Sequence, residues 1–259
     1  MPSVLDRIVA AHRAAAAADA RSVAELVKRA AAAPPPRGFR AALAGEPGLS
    51  VVAEVKRRSP SAGPLAPALV PAELARRYQA GGAAALSVLT DEEFFGGSAA
   101  DLAQARAACD LPVLRKDFTV SDADVCDARL MGADAVLLIV AALSDSELAR
   151  FRVLAAELAM DALVEVHTEA ELDRALAAGA DLVGVNRRDL RTFSVDPSLA
   201  ERLAARMPEG VVTVAESGVR DGADAAALAG CGYAAVLVGE TLVTAADPAA
   251  ALAELKGDR

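Results

Sequence analysis

Eight short apolar runs punctuate the chain: LSVVAEV from Leu49, AALSVL from Ala84, PVLRK from Pro112, AVLLIV from Ala135, ALVEV from Ala162, LVGVN from Leu182, VVTVAE from Val211 and AAVLVG from Ala234. Each has the length of a strand buried on both faces. Between them PAELARRYQA, DLAQARAA, DADVCDARLM, DSELARFRVLAAELAM, EAELDRALAA and DPSLAERLAAR carry apolar residues at three- and four-residue spacing, the mark of helices packed by one face. Several of these helices run into glycine before the next strand, in QAGGAAAL, LMGADAVL, AAGADLVG and AGCGYAAVL, which marks one repeated unit. Strand then helix, eight times over, predicts a closed barrel. An open doubly wound sheet shares the alternation, but the count of eight and the lack of a GxGxxG fingerprint favour closure.

The predicted fold class is therefore α/β, a (βα)8 TIM barrel, in one domain spanning residues 1–259. Residues 1–47 stand outside the repeats as an N-terminal helical extension, with a helix over Val4–Ala18, a second over Val23–Ala32 and then the break PPPRGF. Its place is left open between a cap on the barrel floor or side and a cover reaching the mouth. DPAAALAELKG, from Asp247, reads as a closing helix.

Polar residues interrupt the strands at one place. In VVAEVKRRSPS, alternation points Val52, Glu54 and Lys56 one way and Val51, Ala53 and Val55 the other. Inward side chains at the C-terminal strand ends surround the usual active-site mouth of such a barrel, so Glu54 and Lys56 face it together. Lys116 ends PVLRK, Glu165 ends ALVE, Asn186 ends LVGVN with Arg188 two residues on, and Glu216 with Ser217 ends VVTVAES. One charge at a strand end is ordinarily solvated; five strand ends converging on one face point to chemistry. Ser217 and Gly218 after the seventh strand, and Gly239 and Glu240 after the eighth, fall where barrels hold phosphate with backbone N–H groups and a short helix N-terminus.

Composition narrows the classes. The chain has 259 residues, 54% hydrophobic and 24% charged, enough for a sizeable core, and its formal charge of −9 with no basic run argues against nucleic acid as a partner. Cys109, Cys126 and Cys231 are odd in number and widely spaced, which suggests neither a disulfide framework nor a redox motif. His12 and His167 have no cysteine cluster beside them, so neither a metal nor a cofactor is expected. Asp6, Arg7, His12 and Arg13 break the apolar character of the N-terminus, and the longest apolar run, near Ala135–Leu143, is too short to span a bilayer. The expectation is a cytoplasmic protein, free of membrane, monomeric or weakly homo-oligomeric.

Taken together, VVAEVKRRSPSAG, ALSVLTDEEFFGGS, LPVLRKDF, GADAVLLI, LVEVHTEAEL, VGVNRRDL, VAESGV and VLVGE resemble, in order and over nearly the whole chain, the indole-3-glycerol phosphate synthases of tryptophan biosynthesis. The resemblance implies a small phosphorylated substrate, 1-(2-carboxyphenylamino)-1-deoxyribulose 5-phosphate, converted to indole-3-glycerol phosphate with loss of CO2 and water. By that likeness Lys116 is the principal general acid, Glu165 its partner in later proton transfer, and Lys56 a phosphate contact and further donor. Glu54 and Asn186 position substrate and lysines; Ser59, Pro60 and Phe95 border the anthranilate ring, Glu216 lies near its amine and Arg188 near its carboxylate. Ser217, Gly218, Gly239 and Glu240, the last through its backbone, resemble the phosphate cradle. Asp117 and His167 are read as structural or orienting. One departure stands in the first loop, where Ala62 precedes Gly63 and the family often has lysine. The rival readings are a non-catalytic phosphate-binding barrel, which would be expected to have lost Lys116 or Glu165, and a sugar-phosphate isomerase, which gives no reason for the SPS and RKDF motifs.

Overall fold

A computed structural model of the chain describes residues 3–45, 48–189 and 194–257. Eight parallel strands close into a barrel: β1 (Ser50–Val55), β2 (Ala85–Leu89), β3 (Val113–Lys116), β4 (Ala135–Ile139), β5 (Asp161–Val166), β6 (Leu182–Asn186), β7 (Val212–Glu216) and β8 (Ala235–Val238). β1 pairs with β8 through Ser50↔Ala235 and with β2 through Val52↔Ala85, which completes the ring. Closure leaves the barrel without an edge strand.

Alternation along each strand divides the apolar residues into two cores. Val51, Ala53 and Val55 join the layer between strands and helices, whereas Val52 faces the barrel interior with Leu114, Leu137, Leu163, Leu182 and Val214. A one-residue shift in any strand would exchange these sets, so burial of both faces fixes the register.

The helices are α1 (Val4–Ala18), α2 (Val23–Ala31), α3 (Phe39–Ala44), α4 (Pro71–Ala80), α5 (Ala99–Ala108), α6 (Asp122–Leu130), α7 (Asp145–Glu157), α8 (Glu169–Ala177), α9 (Pro197–Ala204), α10 (Gly222–Gly230), α11 (Glu240–Val243) and α12 (Pro248–Lys256). Hydroxyl and carboxylate caps start most of them: Ser98, Ser121, Thr168 and Asp221 each accept from the backbone N–H three residues on, and Ser3 and Ser144 form full capping boxes with Asp6 and Glu147. The pattern DSELARFRVLAAELAM predicts helix to Met160, but α7 ends at Glu157. Ala159 takes a left-handed φ of 60°, and the N–H of Met160 turns back to the carbonyl of Ala155 at 2.9 Å.

The N-terminal extension answers the question left open by the sequence, because it does both things. α1 lies over the C-terminal mouth, where Val4, Leu5 and Ile8 face the central cavity. α2 packs along the side against α6, and the proline-rich connection descends under carbonyl contacts from Arg129 to Ala33 and Pro34 and from Arg37 to Cys109 and Leu111. α3 then closes the floor: Phe39 and Leu43 are buried against Val52, Ala85, Leu182, Val212 and Ala235. Six residues are too few to show helical periodicity, which is why α3 was not predicted. The boundary drawn at residue 47 lies outside the described residues.

Candidate active site

At the C-terminal end of the barrel the inward side chains enclose a cavity of about 540 Å³. All fourteen residues proposed from the sequence line it: Glu54, Lys56, Ser59, Pro60, Phe95, Lys116, Glu165, Asn186, Arg188, Glu216, Ser217, Gly218, Gly239 and Glu240. Convergence follows from the closed topology, which brings the ends of β1, β3, β5, β6, β7 and β8 around one mouth although they lie far apart in sequence.

Lys116 is the centre of the charge arrangement. Its Nζ donates to Glu165 Oε2 at 2.6 Å and to Glu216 Oε2 at 2.9 Å, and both carboxylates are almost fully buried, 1% and 2% exposed. Burial opposes the ammonium, but the neighbouring carboxylates of Glu165, Glu216 and Glu54 outweigh it and hold the Lys116 pKa above its ordinary value. Glu165 also feels burial, which favours its neutral form; Lys116 and His167 overcome this and keep its pKa well below the usual carboxylate range. Glu216 behaves oppositely. Burial, together with the charges of Glu165 and Glu54, pushes it up to about 7 despite Lys116, so the site holds one firmly ionised carboxylate and one poised near neutrality. Glu216 Oε1 is buried and has no hydrogen-bond partner.

Two glycines make this crowding possible. A side chain at Gly184, which faces inward on β6, would run into the Glu216 carboxylate, and one at Gly239 would meet Glu54 Oε1 and Lys56 Nζ. The ion pair between Lys56 and Glu54 therefore sits directly beside the backbone at the end of β8. Alternation sets Gly184 on the same face as Asn186, but a glycine inside a strand signals only a close approach, without naming the group that approaches.

Around Glu165 the supports are layered. Asn186 Nδ2 donates to Glu165 Oε1 at 3.2 Å, and Asn186 Oδ1 accepts from the Ser217 hydroxyl at 2.8 Å and the Arg188 N–H at 3.1 Å. His167 Nδ1 bonds Glu171 Oε2 at 3.2 Å, whereas Nε2 lies 3.3 Å from Glu165 Oε1, within ion-pair distance but not aligned as a hydrogen bond. Burial works against its charged form, yet the two carboxylates raise its pKa to about 10. Ser217 and Gly218 both take left-handed conformations, with φ of 65° and 74°. A serine held there is strained.

The opposite wall is aromatic. Phe95 and Phe118 line the cavity with ring centroids 6.3 Å apart, and the loop bearing Phe95 folds over Asp91, whose Oδ1 accepts the N–H groups of Phe94 at 2.6 Å and Phe95 at 3.0 Å. Phe118, Val4, Leu5 and Ile8 were missed as cavity residues; an apolar residue carries no sign in sequence of which apolar space it will face. Asp117 accepts from Thr90, Arg115 and its own neighbour Phe118, an orienting role. Among the described residues, His12, Asp91 and Asp117 form a cluster with spacing that could ligate a cation. Their free valences are few, since Asp91 and Asp117 already accept five bonds from Phe94, Phe95, Thr90, Arg115 and Phe118.

A closed (βα)8 barrel with lysines and glutamates packed at its C-terminal mouth defines an acid–base enzyme of the barrel class. The model of the family "Indole-3-glycerol phosphate synthase" matches residues 5–255. An indole-3-glycerol phosphate synthase 2 of Streptomyces coelicolor is 57% identical over 237 residues, covering 92% of each chain, and an indole-3-glycerol phosphate synthase of Mycolicibacterium smegmatis is 53% identical over 98% of this chain and 93% of its own. The chain belongs to the indole-3-glycerol phosphate synthase family. Its fold is also that of a thiamine phosphate pyrophosphorylase from Pyrococcus furiosus (TM-score 0.61, 18% identity, 84% of this chain and 96% of that one). A 3-hexulose-6-phosphate synthase gives a TM-score of 0.59 at 20% identity, over 82% of this chain and 99% of that one. At those identities the likeness speaks for the fold alone. Among the described residues no helix is long and apolar enough to cross a membrane.

Proposed function

We propose that the cavity closes the pyrrole ring of 1-(2-carboxyphenylamino)-1-deoxyribulose 5-phosphate, releasing CO2 and water and leaving indole-3-glycerol phosphate. The observation that carries this reading is Lys116, held 2.6 Å from Glu165 and 2.9 Å from Glu216 inside a pocket with an aromatic wall and a glycine-edged rim. The aromatic carbon bearing the carboxylate attacks the ketone, and Lys116 delivers a proton to the oxygen as negative charge develops there. Its raised pKa ensures that the proton is present when the cycle begins. Departure of CO2 restores the aromatic ring. In dehydration an ammonium protonates the leaving hydroxyl while Glu165, ionised and braced by Asn186, takes the adjacent proton.

Phe95, Ser59 and Pro60 flank the anthranilate ring in this reading, with Glu216 at the amine and Arg188 at the carboxylate. Lys56, Ser217, Gly218, Gly239 and the backbone of Glu240 take the phosphate, and Glu54 holds Lys56 in place. The three dispersed cysteines, with no disulfide framework, support a cytoplasmic enzyme. The test is to mix EDTA-treated protein with the substrate and follow indole absorbance and fluorescence, with Lys116→Ala as control. Indole formation by the parent alone supports the proposal; absence of product with substrate bound sinks it in favour of a non-catalytic phosphate-binding barrel.

A further inference from the structure

The mouth of the cavity is roofed by α1, and one residue of α1 reaches the pocket wall through a polar contact. Val4, Ile8 and His12 follow one another at four-residue spacing, so they share a helix face. The first two look into the cavity. His12 lies where that face meets the rim: its ring is 5.4 Å from that of Phe118, and Nε2 is 3.0 Å from Asp91 Oδ2. Asp91 is in turn the residue whose other oxygen gathers the N–H groups of Phe94 and Phe95. The adjacent anchor, Arg13, is different in kind, because it grips Glu147 at the start of α7 and the carbonyls of Val120 and Ala142, all parts of the scaffold.

We infer that His12 is a positioning residue for substrate binding, coupling the N-terminal roof helix to the aromatic wall through the chain His12–Asp91–Phe95. The inference rests on the function proposed above for this cavity. As the polar link between α1 and the loop after β2, which also share an apolar cluster through Leu5, Ile8, Phe94 and Phe95, His12 sets how far α1 lies over the substrate and where Phe95 stands, without touching the reacting atoms. The groups facing it are Asp91 from the loop after β2, Asp117 from the end of β3 and Asp124 from α6, with Arg115 bound to the far oxygen of Asp117. Three carboxylates around one imidazole favour its protonated, donating form, and the direct bond to Asp91 is the largest cause. Contacts of this sort persist from bound substrate to transition state, so their loss weakens binding and leaves the chemical step alone.

The experiment compares the parent with His12→Ala, His12→Gln, Asp91→Asn and the double variant His12→Ala/Asp91→Asn. Steady-state kinetics and amide hydrogen exchange over residues 4–18 are both read. Loss of one charge-assisted bond predicts a rise in KM of about five- to tenfold in His12→Ala, with kcat within about twofold. Exchange in α1 should quicken in the same variant. His12→Gln keeps an N–H donor for Asp91 and should recover most of both effects, while the double variant should be no worse than the poorer single one. Unchanged α1 exchange in His12→Ala, an unchanged KM, a fall in kcat at constant KM, or additive losses in the double variant would each overturn the inference. A parent that makes no indole defeats the proposed function instead, and the exchange measurement still decides whether His12 fastens the roof.

Discussion

Two buried carboxylates at opposite ends of the barrel have the same surroundings in outline and different fates. Asp134, at the N-terminal end, is fully buried; it accepts the N–H of Arg37 and of Val113, each at 2.7 Å, and pairs with Arg106. Its bonding capacity is met. Glu216, at the C-terminal end, is buried as deeply but shares one lysine with Glu165, keeps an oxygen without a partner and has its pKa pushed to about 7. A carboxylate saturated by the scaffold is fixed in place and in charge, whereas one that keeps an unpartnered oxygen beside a cavity can still take a proton or a hydrogen bond from whatever enters. The same contrast separates the two ends of the N-terminal extension, with Phe39 and Leu43 of α3 sealed into the floor and Val4, Leu5 and Ile8 of α1 facing open space at the mouth.

The comparison breaks most visibly at Lys116. Replacing it with alanine should lower kcat by about 10³ or more, within the range for a lost general acid, while circular dichroism and thermal unfolding still report a folded barrel. Folding survives because Glu216, already raised to about 7, takes up a proton in place of its lost partner. Asp134→Ala should do the reverse. Removing this fully buried carboxylate leaves the N–H groups of Arg37 and Val113 and the half-buried Arg106 without their acceptor, at a cost of about 3–5 kcal/mol of stability, read as a lower urea midpoint, with kcat of the remaining folded protein near that of the parent. If instead Lys116→Ala unfolded the protein and Asp134→Ala spared it, the distinction between the two ends would fail.

Smaller effects sharpen it. Glu165→Gln should slow dehydration by about 10², and single-turnover spectra should then show an intermediate that has lost CO2 but not water. Spectra without any accumulating species would remove Glu165 from that step. His167 supplies an effect of another kind, on stability and through pH. Its folded pKa, near 10, lies above the unfolded value of 6.5, so the native state holds the proton more tightly. The resulting stability is fully present below about pH 6.5 and is lost as pH rises through 10. Urea midpoints measured from pH 6.5 to 10 should therefore decline more steeply for the parent than for His167→Gln; parallel declines would show that His167 is not held charged by Glu165 and Glu171.

Much of this was legible along the chain because two local rules left clear traces. Burial of both strand faces wrote eight apolar runs, and the polar residues interrupting them, Glu54, Lys56, Lys116, Glu165, Asn186 and Glu216, announced themselves by standing where apolar residues would cost nothing. Alternation alone gave their direction. What stayed hidden were residues whose meaning depends on a distant partner: Gly184 yields room to Glu216, which follows it by thirty-two positions, and Phe118 is a wall only because Phe95 arrives beside it. α3 was too short to carry a period, and His12 was one of four polar residues breaking an alanine-rich helix, with no sign of which partner it would meet.

The sequence by itself determined the repeated unit, its closure at eight, the inward set of charged residues and the chemistry those residue types can perform, because each depends on periodicity or side-chain identity. Tertiary structure alone decided which carboxylate is saturated and which is poised, where the two ends of the extension lie, and that His12 meets Asp91 across 79 positions of chain. Those are consequences of which groups share a low-dielectric space, and that sharing exists only once the barrel has closed.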